Sequence, residues 1–234
     1  MHYLALACDF DGTLAHNSVV DDDVIDALTR CRDSRRRLLM VTGRELADLQ
    51  RTFTRLDLFD AVVIENGAVL FSPATGCERP LAPPPPASFV EALRSHGVSR
   101  ISSGRVIVAT WSPHETKVLE TIRDMGLELQ VIFNKGAVMV LPSGINKATG
   151  LVAALEELKI PPSQVVAVGD AENDHALLEA VGLGVAVANA IPMLKTHAQW
   201  VTTRDHGQGV VELIDRLLAT DLAGLPCRMQ PGAS

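Results

Sequence analysis

Tyr3-Leu4-Ala5-Leu6-Ala7-Cys8-Asp9-Phe10-Asp11-Gly12-Thr13 is the stretch that decides the fold class. Its first half has the length and apolarity of a strand buried on both faces, and such strands belong to parallel sheets. The run ends in two acids, a glycine and a hydroxyl. It therefore delivers Asp9 and Asp11 to the carboxyl end of the sheet, where open α/β folds place their ligands. Like charges this close resist joint ionisation unless a cation or a shared proton relieves them. A divalent metal is the simplest answer.

Three further stretches repeat the design. Leu38-Leu39-Met40-Val41 is a second apolar run. It ends in Thr42-Gly43-Arg44, ahead of a helical pattern with Leu46, Leu49 and Phe53 on one face. A hydroxyl followed by a glycine brings both an O–H and a backbone N–H to an anionic oxygen. Read locally, Thr42 is also a helix N-cap, with Glu45 completing a capping box. Ser143-Gly144-Ile145-Asn146-Lys147 opens a helix carrying Leu151, Ala154, Leu155 and Leu158. A lysine in the first turn lies on the unfavourable side of the helix dipole, which a nearby anion offsets; the plainer reading is a solvated surface lysine. Last, Val165-Val166-Ala167-Val168 runs into Gly169-Asp170-Ala171-Glu172-Asn173-Asp174. Acids at a helix start are favoured by the dipole alone, so capping is the local alternative there.

Between these stretches the pattern alternates strand and helix, as in a parallel α/β domain. A helix with Val24, Ala27, Leu28 and Cys31 on its inner face follows the first strand, and residues 61–64 form another strand. Glu65-Asn66-Gly67 then signals a hairpin. Composition shifts at Ser72-Pro73, and Pro83-Pro84-Pro85-Pro86 reads as a stiff connector into a helix over residues 87–94. Residues 106–111, 129–133 and 137–141 read as strands and 115–125 as a helix, a small α+β unit inside the alternating domain. The expected layout is core over residues 1–72 and 143–220, an insert over 73–142, and a frayed tail or linker over 221–234.

The chain has 234 residues, 47% hydrophobic, and a formal net charge of -7. That balance offers no general field for nucleic acid or anionic membrane. Arg35-Arg36-Arg37 reads as a solvated helix end. Cys8, Cys31, Cys77 and Cys227 form no CxxC pair, so neither zinc nor a disulfide framework is expected. With no signal-peptide pattern and no apolar stretch of membrane-spanning length, a reducing cytoplasm is expected. The oligomeric state is not legible.

Taken in order, the four stretches resemble the four motifs of the haloacid dehalogenase superfamily, and best its Cof-type, subclass IIB phosphatases with a small C2-type cap. The resemblance implies an α/β fold: a Rossmann-like parallel-sheet core with an inserted α+β cap. It implies that Asp9 attacks phosphorus to form an aspartyl phosphate, and that Asp11 serves as general acid and base. Thr42, Lys147 and backbone N–H groups near Phe10 and Gly43 would neutralise the phosphoryl group. Mg2+ would be held by Asp9, the Asp11 main-chain carbonyl and Asp170, with Asp174 as a further ligand or holding its waters. Asn173 would bond the phosphate or steady Lys147. Asn66 belongs to a Glu-Asn-Gly that subclass IIB members share, a ligand contact or a plain turn. Arg44 is assigned to substrate or to the surface. The implied substrate is a small phosphorylated metabolite, phosphoglycolate or a sugar phosphate, with Arg105, Trp111, His114 and Lys135 as candidates to read its leaving group. An acid two residues after the nucleophile sets the chain apart from the dehalogenases proper. A phosphohexomutase, or a non-catalytic regulatory domain of a longer protein, are the alternatives.

Overall fold

The computed structural model describes residues 1–134 and 136–226. The chain runs β1 (Ala5–Cys8), α1 (Asp22–Asp33), β2 (Arg37–Val41), α2 (Leu46–Thr52), β3 (Ala61–Ile64), β4 (Val69–Ser72) and β5 (Cys77–Pro80). It continues through α3 (Ala87–Ser95), β6 (Ser102–Ser103), β7 (Val108–Trp111), α4 (Glu115–Asp124), β8 (Leu129–Asn134) and β9 (Ala137–Pro142). The remainder is α5 (Lys147–Leu158), β10 (Val165–Gly169), α6 (His175–Glu179), β11 (Leu183–Ala186), α7 (Pro192–His197), β12 (Trp200–Val201) and α8 (His206–Thr220).

Eight strands form one sheet in the order β12-β11-β10-β1-β2-β3-β4-β5. The strands from β12 to β3 are parallel, and β4 and β5 are antiparallel additions. β1, β3, β10 and β11 are buried along their whole length. Apart from Cys8, Gly169 and Gly184 they consist of Val, Leu, Ile and Ala, which follows from that burial, since each fully buried Leu or Val side chain stabilises by about 1.5–3 kcal/mol. The register sets Cys8 between Val168 and Met40. The ends of β1, β2 and β10, which carry three of the four motifs, thus lie side by side.

A second sheet, β6-β7-β9-β8, is antiparallel throughout. With α3 and α4 it has a small core of its own, formed by Phe89, Leu93, Val98, Val108, Val118, Ile122, Val138 and Val140. The α/β fold with an inserted α+β unit is as expected, but its edges differ. The insert was expected from Pro73, yet β5 pairs with β4 in the core sheet and Leu81 N–H donates to Ala68 O at 2.8 Å. Pro73 and Gly76 are turn residues of a second core hairpin, which produces the same shift in composition as a domain boundary. Pro80 is tolerated because β5 is an edge strand. The first helix of the insert begins at Ala87.

Residues 221 and 222, expected in a frayed tail or linker, pack on the core instead. Asp221 pairs with Arg36 at 2.8 Å and Leu222 is 2% exposed. Residues 227–234, with Cys227, lie outside the described residues. The same contact corrects the reading of Arg36 as a solvated cation. It is buried, and also donates to Tyr3 O and Leu217 O. No helix of the described residues is long and apolar enough to cross a membrane.

Candidate active site

Asp9 follows β1 directly, and its N–H donates to Val168 O at 3.0 Å, so the neighbouring strand fixes where the carboxylate emerges. Lys147, the first residue of α5, reaches it with Nζ to Oδ1 at 2.5 Å. The same Nζ donates to Asp174 Oδ1 at 2.7 Å. Asp174 Oδ2 in turn accepts the N–H groups of Asp170 and Ala171, both at 3.0 Å. Thr13 Oγ1 donates to Asp170 Oδ1 at 3.3 Å. All four ionisable side chains, Asp9, Lys147, Asp170 and Asp174, are buried. This is the expected juxtaposition of the first, third and fourth motifs, and it removes Lys147 from the surface-lysine reading.

Three carboxylates enclosed with one ammonium leave a negative surplus. Burial and the neighbouring Asp174 raise the Asp9 pKa to about 8, with Asp170 adding to the rise and Lys147 opposing it. Burial also works against the Lys147 ammonium, but Asp174 and Asp9 outweigh it and push its pKa up. One ligand oxygen each from Asp9, Asp170 and Asp174 lie within 4.8 Å of one another. Hard oxygen donors in this number suit a small divalent cation, which would cancel the surplus. The residues therefore fit Mg2+.

Thr42 is fully buried at the end of β2, and its Oγ1 accepts Arg44 N–H at 3.2 Å. It caps no helix: α2 begins at Leu46 with Glu45 in the capping position, and no side-chain cap forms. Asn66 N–H donates to Thr42 O at 2.9 Å, and Asn173 Nδ2 donates to Asn66 Oδ1 at 2.8 Å. The Glu-Asn-Gly turn thus joins the second motif to the fourth. Gly67 closes the turn at φ 106°, and a Cβ there would lie 1.9 Å from Asn146 O, so only glycine lets α5 start this close.

Arg44 is committed to the site rather than to open surface. Its Nε and Nη2 bond both oxygens of Asp11, at 2.7 and 2.6 Å, and Nη1 holds Asp48 at 2.8 Å. The guanidinium also lies 5.2 Å from the centre of the Phe10 ring. The Phe10 side chain is buried against Phe53, so only its backbone faces the site. Among the described residues the N–H groups of Phe10 and Gly43 have no intramolecular acceptor.

A cavity of about 610 Å³ opens above these groups. Asp9, Asp11, Gly43 and Arg44 form its floor, while Ser102, Ile107, Trp111, Asn134 and Met139 of the insert form its roof. Of the three leaving-group candidates among the described residues only Trp111 lines it. Arg105 turns to Glu78, His114 bonds Ser99, and Lys135 lies outside the described residues. Sequence reasoning missed Glu45, Asp48 and Arg51 on the core side and Met139 and Asn134 above. None lies in a motif, and only folding faces them toward the same space.

The family of haloacid dehalogenase-like hydrolases matches this chain over residues 6–103 and 115–214. Phosphoglycolate phosphatase 2 of Saccharolobus solfataricus is 32% identical over 222 residues, covering 92% of this chain and 93% of its own. Phosphoglycolate phosphatase of Methanothermobacter thermautotrophicus is 30% identical over 223 residues, covering 92% and 98%. Among solved structures, the haloacid dehalogenase subclass IIB sugar phosphatase BT4131 has a TM-score of 0.76 at 18% identity, covering 91% of this chain and 98% of its own, a likeness of fold. Since the matched residues include Lys147 and every acid of the buried cluster, and the two relatives align over nearly their full length, the chain belongs to the haloacid dehalogenase-like hydrolases.

Proposed function

We propose that the protein is a magnesium-dependent phosphatase that hydrolyses a small phosphomonoester, phosphoglycolate or a sugar phosphate, through an aspartyl phosphate. The observation that carries this reading is the Lys147 ammonium 2.5 Å from Asp9, beneath a cavity whose floor Asp9 and Asp11 share. Lys147 engages one Asp9 oxygen, and the other attacks phosphorus as the bond to the leaving oxygen breaks. Asp11 first exchanges its Arg44 contacts for the leaving group and takes up a proton from solvent, and then gives that proton to the leaving oxygen. Water then attacks phosphorus, Asp11 takes a proton from it, and the bond to Asp9 breaks to release phosphate. Thr42 Oγ1 and the N–H groups of Phe10 and Gly43 hold the phosphoryl oxygens, the kind of preorganised support that supplies most of the catalysis. Asn66 and Asn173 brace that arrangement.

Asp9, Asp170 and the Asp11 carbonyl are the ligands assigned to Mg2+, with Asp174 at the edge of the set because both its oxygens already accept hydrogen bonds. When bound, the ion supplies charge neutralisation at the transferring phosphoryl group. The cap, rather than a charged groove, favours a small metabolite over a nucleic acid or a phosphoprotein. The described cysteines, Cys8, Cys31 and Cys77, are free, which supports a cytoplasmic setting. Phosphate release from phosphoglycolate and from sugar phosphates, with Mg2+ and after exhaustive chelation, tests the proposal. Turnover should vanish on chelation and in Asp9→Asn, which keeps the shape and removes the nucleophile. Full activity in either would overturn it.

A further inference from the structure

Glu65 is a core residue, 2% exposed, whose carboxylate serves the insert. Oε1 accepts the N–H of Arg105 at 2.7 Å, and Oε2 accepts those of Val106 and Ile107 at 2.7 and 2.8 Å. Three successive backbone N–H groups around one anion make a nest, formed here by the turn between β6 and β7. Gly104 completes the fit: a Cβ there would lie 2.5 Å from Oε1. Two other core acids grip the same hairpin, Glu45 through Ser102 Oγ at 2.5 Å and Glu78 through Arg105 Nε at 3.4 Å. Glu78 and Arg105 are at the solvent edge, so their pair adds little.

Glu65 also holds a costly backbone conformation. It has φ 52° and Asn66 φ 56°, a left-handed pair that non-glycine residues avoid. Glu65 N–H donates to Arg44 O at 2.9 Å and Asn66 N–H to Thr42 O, which ties the turn to the second motif. From this turn the Glu65 side chain reaches the roof and the Asn66 side chain reaches Asn173 of the fourth motif. One short turn therefore touches the phosphate-binding loop, the metal-binding loop and the lid.

We propose that Glu65 is a positioning residue that clamps the β6–β7 hairpin over the cavity, and that its grip sets how tightly the roof closes on the leaving group. The backbone donors it holds run directly into Ile107, which lines the cavity, and β7 carries Trp111. The kinetic consequence rests on the phosphatase reading; the clamp itself does not.

Amide hydrogen exchange of the full chain, with Glu65→Gln and Gly104→Ala, tests it. Glu65→Gln keeps an acceptor for part of the nest, and Gly104→Ala displaces the hairpin while leaving the carboxylate intact. In both, exchange at Arg105, Val106 and Ile107 should quicken by about tenfold or more, as lost protection at a local opening does. Amides of β1 and β10 should keep their rates. For phosphoglycolate, KM should rise severalfold with kcat nearly held, while p-nitrophenyl phosphate, whose leaving group needs no help from a roof, should be little affected. Unchanged exchange at residues 105–107 would overturn the clamp. So would equal quickening in β1 and β10, which would make Glu65 a general support of the fold. Local quickening without turnover of any phosphomonoester would uphold the clamp and sink the phosphatase reading instead.

Discussion

Below the cavity, Asp9, Lys147, Asp170 and Asp174 are buried together, and short hydrogen bonds fix Lys147 and Asp174. Above it, the insert presents Trp111, Ile107, Met139, Ser102 and Asn134, with no ionised side chain among the described residues that line it. The floor works by electrostatics in a water-poor setting, where a charge is strong and an unpaired one is expensive. The roof works by shape and by a few polar atoms. Chemistry should therefore reside below and selectivity above. Damage to the floor should appear in kcat for every substrate, whereas damage to the roof should appear in KM and differ from one substrate to the next.

The largest expected effect lies in the floor. Lys147→Ala removes the only cation in contact with Asp9 and Asp174 among the described residues. Loss of a preorganised charge at a transferring phosphoryl group costs about 3–4 kcal/mol, on the order of 10²- to 10³-fold in kcat. Steady-state kinetics on several phosphomonoesters should show the same factor for each. Near-normal kinetics would mean that the buried ion pairs are structural and would break the comparison. In the roof, Trp111→Ala should change kcat/KM by about tenfold, the scale of one apolar pocket contact, with most of the change in KM and a different factor for each substrate. A uniform kcat loss as large as that of Lys147→Ala would place chemistry in the roof.

The smallest effect serves as a control outside both regions. Asp221→Asn weakens the contact that anchors Arg36 and should cost about 1 kcal/mol, or about 2–4 °C in Tm, without altering kinetics. Burial alone would raise the Asp221 pKa, but the His2 N–H and the Arg36 guanidinium outweigh it and hold the carboxyl below its usual range. A depressed carboxylate stabilises the fold above its ordinary pKa, and that contribution fades as pH falls through the depressed value. The wild-type advantage over Asp221→Asn should therefore be full at neutral pH and shrink in acid. Thermal melts across that range measure it directly.

Legibility differs between the regions for the same reason. The buried acids of the floor and Lys147 could be named beforehand because each stands at a strand end or helix start, where the local pattern reveals both position and direction, whereas Glu45, Asp48 and Arg51 beside them could not. The roof could be placed as an insert but not read. Of its candidates among the described residues only Trp111 faces the cavity, since a short α+β unit offers several exposed polar residues and local patterning does not say which face turns inward. The boundary at Pro73 failed similarly, because turn residues within a core hairpin resemble those between domains.

By itself the sequence determined the class of fold and the residues with chemistry to offer, since apolar runs ending in Gly, Asp and Thr can be buried only by a parallel sheet with those ends exposed to ligand. The tertiary structure alone decided the pairings. Lys147 meets Asp9 across 138 residues, Glu65 meets the β6–β7 turn some forty residues on, and Arg36 meets Asp221 across 185. Such contacts depend on how packed layers bring remote backbones together. A chain's local pattern carries information over a turn or a strand, not over those distances.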